Sequence, residues 1–343
     1  MIRVGWKFAN PNVKIASVRI RGFNIIEHIN KNIENIEVEF FKHKDIKKYN
    51  IVIFSKTYSE EDILTAKHLK KEMKSVFFDI CDNHFILGGS RVHLLDEMLK
   101  LSDKIVVSTS SLKEIILKKN VNPDKILVIP DAIDTFESEK DHCSISHWIE
   151  HLKLKRFLSR INTSSVTKEH RIIWFGNSIG SNNDSGMLHL NNLKDLLFKL
   201  NTEIPISLTV LSNSKKKYKT IFSSWQIPTF YYDWNISTYE QVLKQHGITI
   251  IPINVNDFTI AKTNNRIVTS ILSGLNVVAD EIPSYKEFKE FIYLNDWDNG
   301  LRTYLTNPSK GNEHLALAKK FILENYNIDK ISDQWVEIFN QNR

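Results

Sequence analysis

Short apolar, β-branched runs alternate with stretches in which apolar residues recur every three or four positions, and this rhythm holds over roughly the first 137 residues. The runs predict strands over 2–6, 36–41, 51–54, 76–80, 104–108 and 126–129. Between them, Ile63, Ala66, Leu69 and Met73, then Leu112, Ile115 and Ile116, keep helical spacing. Such alternation predicts a parallel sheet covered by helices. From Ser138 to His170 the strand rhythm stops, while Ile145, Trp148, Ile149 and Leu152, then Phe157, Leu158 and Ile161, predict a helical connector in a polar, basic stretch. A basic amphipathic helix either bridges domains or lies on a membrane surface. The alternation then resumes, with strands expected at 171–175, 206–211, 229–232, 248–251 and 276–279 and helices at 188–200, 217–225, 239–245 and 263–273.

The fold class expected is therefore α/β, with two Rossmann-like domains: 1–137, a connector at 138–170, a second domain at 171–325, and a last helix at 326–343 packing back toward the first domain. The 343 residues suit about two domains. With 25% charged and 10% aromatic residues, disordered and coiled-coil classes are excluded. Cys81 and Cys143 are too few for a disulfide framework and are expected to be free thiols. No apolar run reaches the ~20 residues that cross a bilayer and the start lacks a secretory signal, so a cytoplasmic location is expected. Residues 1–170 carry 28 basic and 23 acidic side chains, against 18 and 17 in the remainder. A mildly basic first half allows contact with a phosphate-bearing substrate or with the inner face of a membrane. No basic stripe is interleaved with aromatics, so no nucleic-acid partner is expected. Neither a G-x-S-x-G elbow nor an H-E-x-x-H helix is present.

Candidate chemistry concentrates in two places. In 248–280 a strand ends at Pro252, and a helix is expected to open near Lys262 and to stop at Gly274. At 100° per residue Lys262, Arg266, Thr269 and Ser273 fall within about 60° of one another, opposite Ile267, Val268 and Ile271. Two cations at a helix N-terminus oppose the dipole, a cost offset when an anion binds there. The second place is 79–85, DICDNHF, directly after a strand. Asp79, Asp82 and His84 at the carboxyl end of a strand suit sugar contact or catalysis, turn capping, or a weak metal set. The glycine-bearing turn GNSIGSNND, with Gly176 and Gly180, points Asn177 and Ser178 at a phosphate or is an ordinary βα turn. Trp234 is expected to pack rather than to stack on a base.

The segment KTNNRIVTSILSGLNVVAD at 262–280 resembles the donor-binding segment of the GT-B glycosyltransferases of the retaining, nucleotide-sugar type, the family 4-like or group 1 enzymes of surface polysaccharide synthesis. DKIVVS at 103–108 with IPDAID at 129–134, and RIIWFG at 171–176, are similar to the blocks that close the first domain and open the second in that superfamily. The resemblance implies two Rossmann-like domains facing each other across a cleft, an activated-sugar donor, a glycan or lipid-linked acceptor of lipopolysaccharide or capsule synthesis, and no cofactor or bound metal. It places the donor at Asn177, Ser178, Lys262, Asn264, Asn265, Arg266 and Thr269, and catalysis at Asp82, His84, Lys262 and Arg266. It places the acceptor at Ser17, Arg19, Arg21 and Asp79, Ser17–Arg21 being similar to an S-x-R-x-R segment. Two glutamates common in such enzymes correspond to Thr269 and Ala261 here. That departure leaves open phosphoribosyl pyrophosphate as donor, or a GT-B-like protein that binds a phosphorylated ligand or scaffolds an assembly without transfer.

Overall fold

The computed structural model describes residues 1–135, 145–178 and 186–342. Cys143, Gly180 and the start of the expected connector lie outside the described residues, as do the side chains of Leu87, Ser90 and 145–147. The chain divides into two compact units, Met1–Phe136 with Val255–Asn265 and Ile322–Arg343, and Glu137–Asn254 with Arg266–Phe321.

The first unit is built on a parallel sheet of β1 (Ile2–Phe8), β2 (Ile36–Phe40), β3 (Ile51–Ser55), β4 (Ser75–Ile80), β5 (Lys104–Val107) and β6 (Ile126–Val128), in the order β2-β1-β3-β4-β5-β6. Alternate residues point to opposite faces of a strand. Ile51 and Ile53 accordingly join Trp6, Ile25, Phe77 and Phe339 on one face, while Val52 and Phe54 join Leu69, Phe78, Leu95 and Met98 on the other. Both faces are buried, which is why β3 reads as a continuous apolar run. The helix Ile328–Asn340, capped by the Asn327 side chain, covers the first face; its Trp335 ring lies 4.7 Å from that of Trp6. Ile133 N donates to Tyr326 O at 2.8 Å and ties the preceding turn to the same unit.

The second unit holds β7 (Arg171–Phe175), β8 (Ser207–Ser212), β9 (Thr229–Asp233), β10 (Ile248–Ile251), β11 (Asn276–Ala279) and β12 (Tyr293–Leu294), all parallel, in the order β12-β11-β10-β7-β8-β9. One face packs Trp174, Leu208, Val210 and Ile250 against the helix Lys194–Glu203; the other packs Ile173, Leu211 and Tyr232 against Leu154, Phe157 and Ile161 of the helix Ile145–Asn162. The helix expected as a connector thus supplies core to this unit. Gly247 has to be glycine, because a Cβ there would stand 2.5 Å from the Glu169 carbonyl oxygen.

In each sheet the strand order reverses beside the first strand of the unit, at β1/β3 and at β7/β10. Open α/β sheets bind ligands outside the carboxyl ends of strands at such switch points.

Candidate functional site

The carboxyl ends of β1, β3 and β4 carry the first unit's polar groups. After β1 the chain runs into a short helix, Ala16–Val18, and a π-helical turn, Arg19–Phe23, on which Arg19 and Arg21 are buried. Arg21 is 2% exposed. Its Nη2 lies 2.6 Å from Asp79 Oδ1 and its Nη1 2.7 Å from Asp131 Oδ1, and Nη1 also donates to the Ile129 carbonyl at 3.0 Å. Burial lowers the pKa of Arg21, and the charges of Asp79 and Asp131 more than reverse that, so it stays a cation. Asp79 accepts from Ser55 Oγ at 2.5 Å, and Ser55 in turn accepts from Trp6 Nε1 at 2.7 Å. Arg19 is likewise buried, 2.7 Å from Asp134. The acceptor contacts expected of Arg19, Arg21 and Asp79 are corrected accordingly: these groups are closed to solvent and paired with one another or with Asp131 and Asp134. They position the loops around them. Ser17 stands half-buried in the short helix before them.

One residue beyond β4 and Cys81, the picture changes. Asp82 Oδ1 lies 2.6 Å from Lys262 Nζ and Asp82 Oδ2 2.5 Å from Lys56 Nζ. The three side chains are 16%, 34% and 29% exposed, so the cluster is open to a ligand. Burial pushes the Asp82 carboxyl up, but Lys262 and Lys56 outweigh it and hold Asp82 well below the usual carboxylate range. Asp82 is therefore a permanent anion and cannot exchange protons near neutral pH. His84 Nδ1 lies 2.9 Å from the Tyr58 hydroxyl, and burial together with the Lys56 charge pushes the imidazole down to about 4. His84 is neutral at physiological pH. Cys81 is buried, and burial pushes its thiol up to about 12, so it is packing and not a nucleophile.

Lys262 reaches this cluster from the segment Val255–Asn265. Asn83 Nδ2 donates to the Asp257 carbonyl at 2.8 Å, Ala261 is fully buried in the apolar cluster of Val52 and Phe54, and its carbonyl accepts from Thr109 Oγ1 at 3.3 Å. Asn264 Nδ2 donates to Tyr326 Oη at 2.8 Å, and Asn265 Nδ2 to Asp131 Oδ2 at 2.6 Å. The Lys262 ammonium also sits over the Phe258 ring, 3.9 Å from its centroid. This placement corrects the expected helix. It spans Asn265–Leu272, and Lys262, three residues earlier, is extended at φ −66° and ψ 149°. Lys262 and Arg266 consequently do not share a helical face. Ala261, where the resemblance places a glutamate, is fully buried among apolar side chains.

In the second unit Arg266 and Thr269 are half-buried on the helix Asn265–Leu272, whose Ile267, Val268 and Ile271 are buried. Arg266 donates to the buried Tyr285 hydroxyl and makes no ion pair among the described residues. After β7, Ser212 Oγ donates to the Gly176 carbonyl at 2.7 Å, Ser178 N donates to Asn213 Oδ1 at 2.9 Å, Asn213 Nδ2 donates to Asn177 Oδ1 at 2.8 Å, and Lys217 Nζ donates to the Ser178 carbonyl at 2.7 Å. The Ser178 hydroxyl is buried without a hydrogen-bond partner among the described residues. Trp234 packs against Tyr239 and the Phe157 cluster. Sequence reasoning passed over Lys56 and Tyr58 beside Asp82 and His84 in the first unit, and Lys217 beside Ser178 in the second. Among the described residues no group of three His, Cys, Asp or Glu could hold a metal ion, and no helix is long and apolar enough to cross a membrane.

No protein-family model and no curated protein matches the sequence. Solved structures match its fold across nearly the whole chain. HepE of Anabaena in complex with UDP-glucose is similar at a TM-score of 0.69 and 11% identity, over 99% of this chain and 100% of that one. The lipopolysaccharide outer core galactosyltransferase WaaB is similar at 0.58 and 14%, over 99% and 100%. UDP-GlcNAc 2-epimerase from Neisseria meningitidis, bound to UDP-GlcNAc, is similar at 0.53 and 11%, over 99% and 100%. The chain has the two-domain α/β fold of the GT-B glycosyltransferases.

Proposed function

We propose that this protein is a glycosyltransferase that moves a sugar from a phosphate-activated donor, first of all a nucleotide-sugar, to a lipid-linked or oligosaccharide acceptor in surface polysaccharide synthesis such as lipopolysaccharide or capsule, with retention at the anomeric carbon. The observation that carries the reading is Lys262, held on Asp82 outside the carboxyl end of β4 in a GT-B fold. That fold also houses proteins whose structures hold UDP-glucose and UDP-GlcNAc. Lys262 and, four residues on, Arg266 are assigned to the donor diphosphate, where they stabilise the charge that develops as the bond to the anomeric carbon breaks. A well-placed donor of this kind contributes about 3–4 kcal/mol. Arg266 donates to the Tyr285 phenol and makes no ion pair among the described residues. Asn264, Asn265 and Thr269 flank these cations in the sequence, and Asn177 and, through its hydroxyl, Ser178 are assigned to the donor as well. Neutral His84 is a hydrogen-bonding group for a sugar hydroxyl, and ionised Asp82 anchors the lysines. The exposed face of the helix Ile145–Asn162 supports peripheral contact with an anionic membrane, which is where a lipid-linked acceptor resides.

Incubation with UDP-glucose, UDP-galactose, UDP-GlcNAc and phosphoribosyl pyrophosphate, with release of the activating group followed over time, tests the reading. Release is expected with one of them, and Lys262→Ala and Arg266→Ala are each expected to lower turnover at least about tenfold, ~1.4 kcal/mol of barrier, with unchanged circular dichroism. Full turnover in both variants refutes the assignment. An epimerised sugar nucleotide with no transfer identifies the other chemistry this fold supports. A second reading, a phospho-ligand-binding protein without transfer, is favoured by Ala261 and Thr269 standing where two acidic side chains are common; thermal stabilisation by a ligand with no release would select it.

A further inference from the structure

We propose that Lys56 is a second phosphate-binding cation of this site: together with Lys262 it takes the diphosphate group of a substrate, and Asp82 holds both ammonium groups ready for it. The inference rests on the proposed transferase function and adds a residue to its machinery.

Lys56 follows the last residue of β3 and has φ +52°, in the left-handed region. A non-glycine residue there is strained and persists when its surroundings over-determine it. Here they do. The Lys56 amide donates to the Asp79 carbonyl at 2.9 Å, prolonging the β3–β4 ladder by one step. Its side chain then crosses the end of the sheet to Asp82. A purely structural ion pair needs one cation for one carboxylate. Asp82 has two, at 2.5 and 2.6 Å, and Arg91, whose charge acts on His84 and Tyr58, adds a third cation with no ion pair among the described residues. Two partly exposed ammonium groups thus converge on one carboxylate outside the carboxyl end of β4, where a parallel sheet receives its ligands. A diphosphate carries the oxygens and the charge to satisfy both lysines. Such a group belongs either to a nucleotide-sugar donor or to a diphosphate-linked acceptor; the chemistry recognised is the same.

The test uses Lys56→Asn, because asparagine tolerates left-handed backbone best among non-glycine residues, and Lys56→Arg. Calorimetric titration with inorganic pyrophosphate is expected to show at least tenfold weaker binding for Lys56→Asn than for the unchanged protein, and recovery to within about threefold in Lys56→Arg. In steady-state transfer assays the KM of the diphosphate-bearing substrate is expected to rise at least tenfold with kcat changed less. A rise in the donor KM assigns the group to the nucleotide, and a rise in the acceptor KM assigns it to the carrier. The inference is overturned if the unchanged protein does not bind pyrophosphate, or if folded Lys56→Asn keeps its pyrophosphate affinity and both KM values within twofold. Pyrophosphate binding through Lys56 in a protein that transfers no sugar would overturn the transferase reading and leave the site standing.

Discussion

A guanidinium placed between two buried carboxylates is costly to desolvate, and removing it leaves the carboxylates worse off than before. Arg21 is in that position, with Asp79 and Asp131 within 2.7 Å and all three side chains no more than 3% exposed. Arg21→Met is expected to destabilise the protein by about 3–5 kcal/mol, read as a lower urea midpoint, whereas an acceptor-binding residue would change KM with little effect on stability. His246 Nδ1 lies 2.8 Å from the Val242 carbonyl, which can only accept, so Nδ1 carries the proton and Nε2 accepts from Thr209 Oγ1 at 2.7 Å. Burial pushes this imidazole down to about 4, from an ordinary 6.5. Below pH 6.5 the unfolded chain takes up a proton that the folded one refuses, so the stability His246 contributes is complete above 6.5 and is lost as pH falls toward 4, up to about 3 kcal/mol. Burial shifts His84 the same way. The depressed carboxylates, Asp82 among them, act only below their ordinary range near 4. Urea midpoints at pH 7 and pH 5 are expected to differ, and the difference to shrink in His246→Gln. Asp82 and His84 were legible in the sequence because ionisable residues directly after an apolar run mark a strand's carboxyl end. Lys56 stands at the same offset after the run 51–54, but it is one lysine among many, and the partner that marks it, Asp82, is 26 residues away in the sequence.

At the scale of elements, eleven of the twelve strands among the described residues lie where runs of four to six β-rich residues predict them. The one that does not, Tyr293–Leu294, has two residues and pairs only at the edge with β11. Helix starts were read less well. The helix expected from Thr263 begins at Asn265, although Thr263-Asn264-Asn265 is a run of residue types that favour capping over helix interior. The cations at Lys262 and Arg266 drew the expected start forward, and Lys262 fell outside the helix. The 3₁₀ run Gly186–Leu193 similarly precedes the α-helix Lys194–Glu203, and apolar spacing alone does not tell the two apart. Gly247, directly before β10, lies against the segment that enters β7. Gly247 N donates to Arg171 O at 3.1 Å and its α-carbon packs on the Glu169 backbone, so Gly247→Ala forces main chain apart rather than a side-chain tip. A loss of about 1–3 kcal/mol is expected, with the unfolding midpoint as readout and Gly274→Ala, which meets no atom within 4 Å but is strained at φ +85°, as a comparison set by backbone alone.

For the whole molecule, the segment Val255–Asn265 and the tail Ile322–Arg343 rejoin the first unit after the chain has entered the second. Periodicity cannot show this, because it reports local structure and not which core a loop joins. It did show that 138–170 differs from its surroundings. The helix Ile145–Asn162 buries Leu154, Phe157 and Ile161, and on its other side it exposes Trp148 by 63% and Ile149 by 42% beside exposed Lys155, Arg156 and Arg160. Its acidic residue Glu150 is paired with Lys153 at 2.6 Å, so the face presents net positive charge. A tryptophan among cations suits the headgroup layer of an anionic bilayer, where the ring settles at the interface and each basic residue adds ~1 kcal/mol. Sedimentation with phosphatidylglycerol-containing vesicles is therefore expected to exceed that with neutral phosphatidylcholine vesicles and to fall as salt rises through a Debye length of ~10 Å at 0.1 M. Trp148→Ala is expected to weaken binding at all salt concentrations, and Lys155→Glu with Arg156→Glu to abolish the preference for anionic lipid. Equal sedimentation with both vesicles would rule out recruitment by anionic lipid while leaving the soluble transfer assay, which uses a water-soluble acceptor analogue, unaffected.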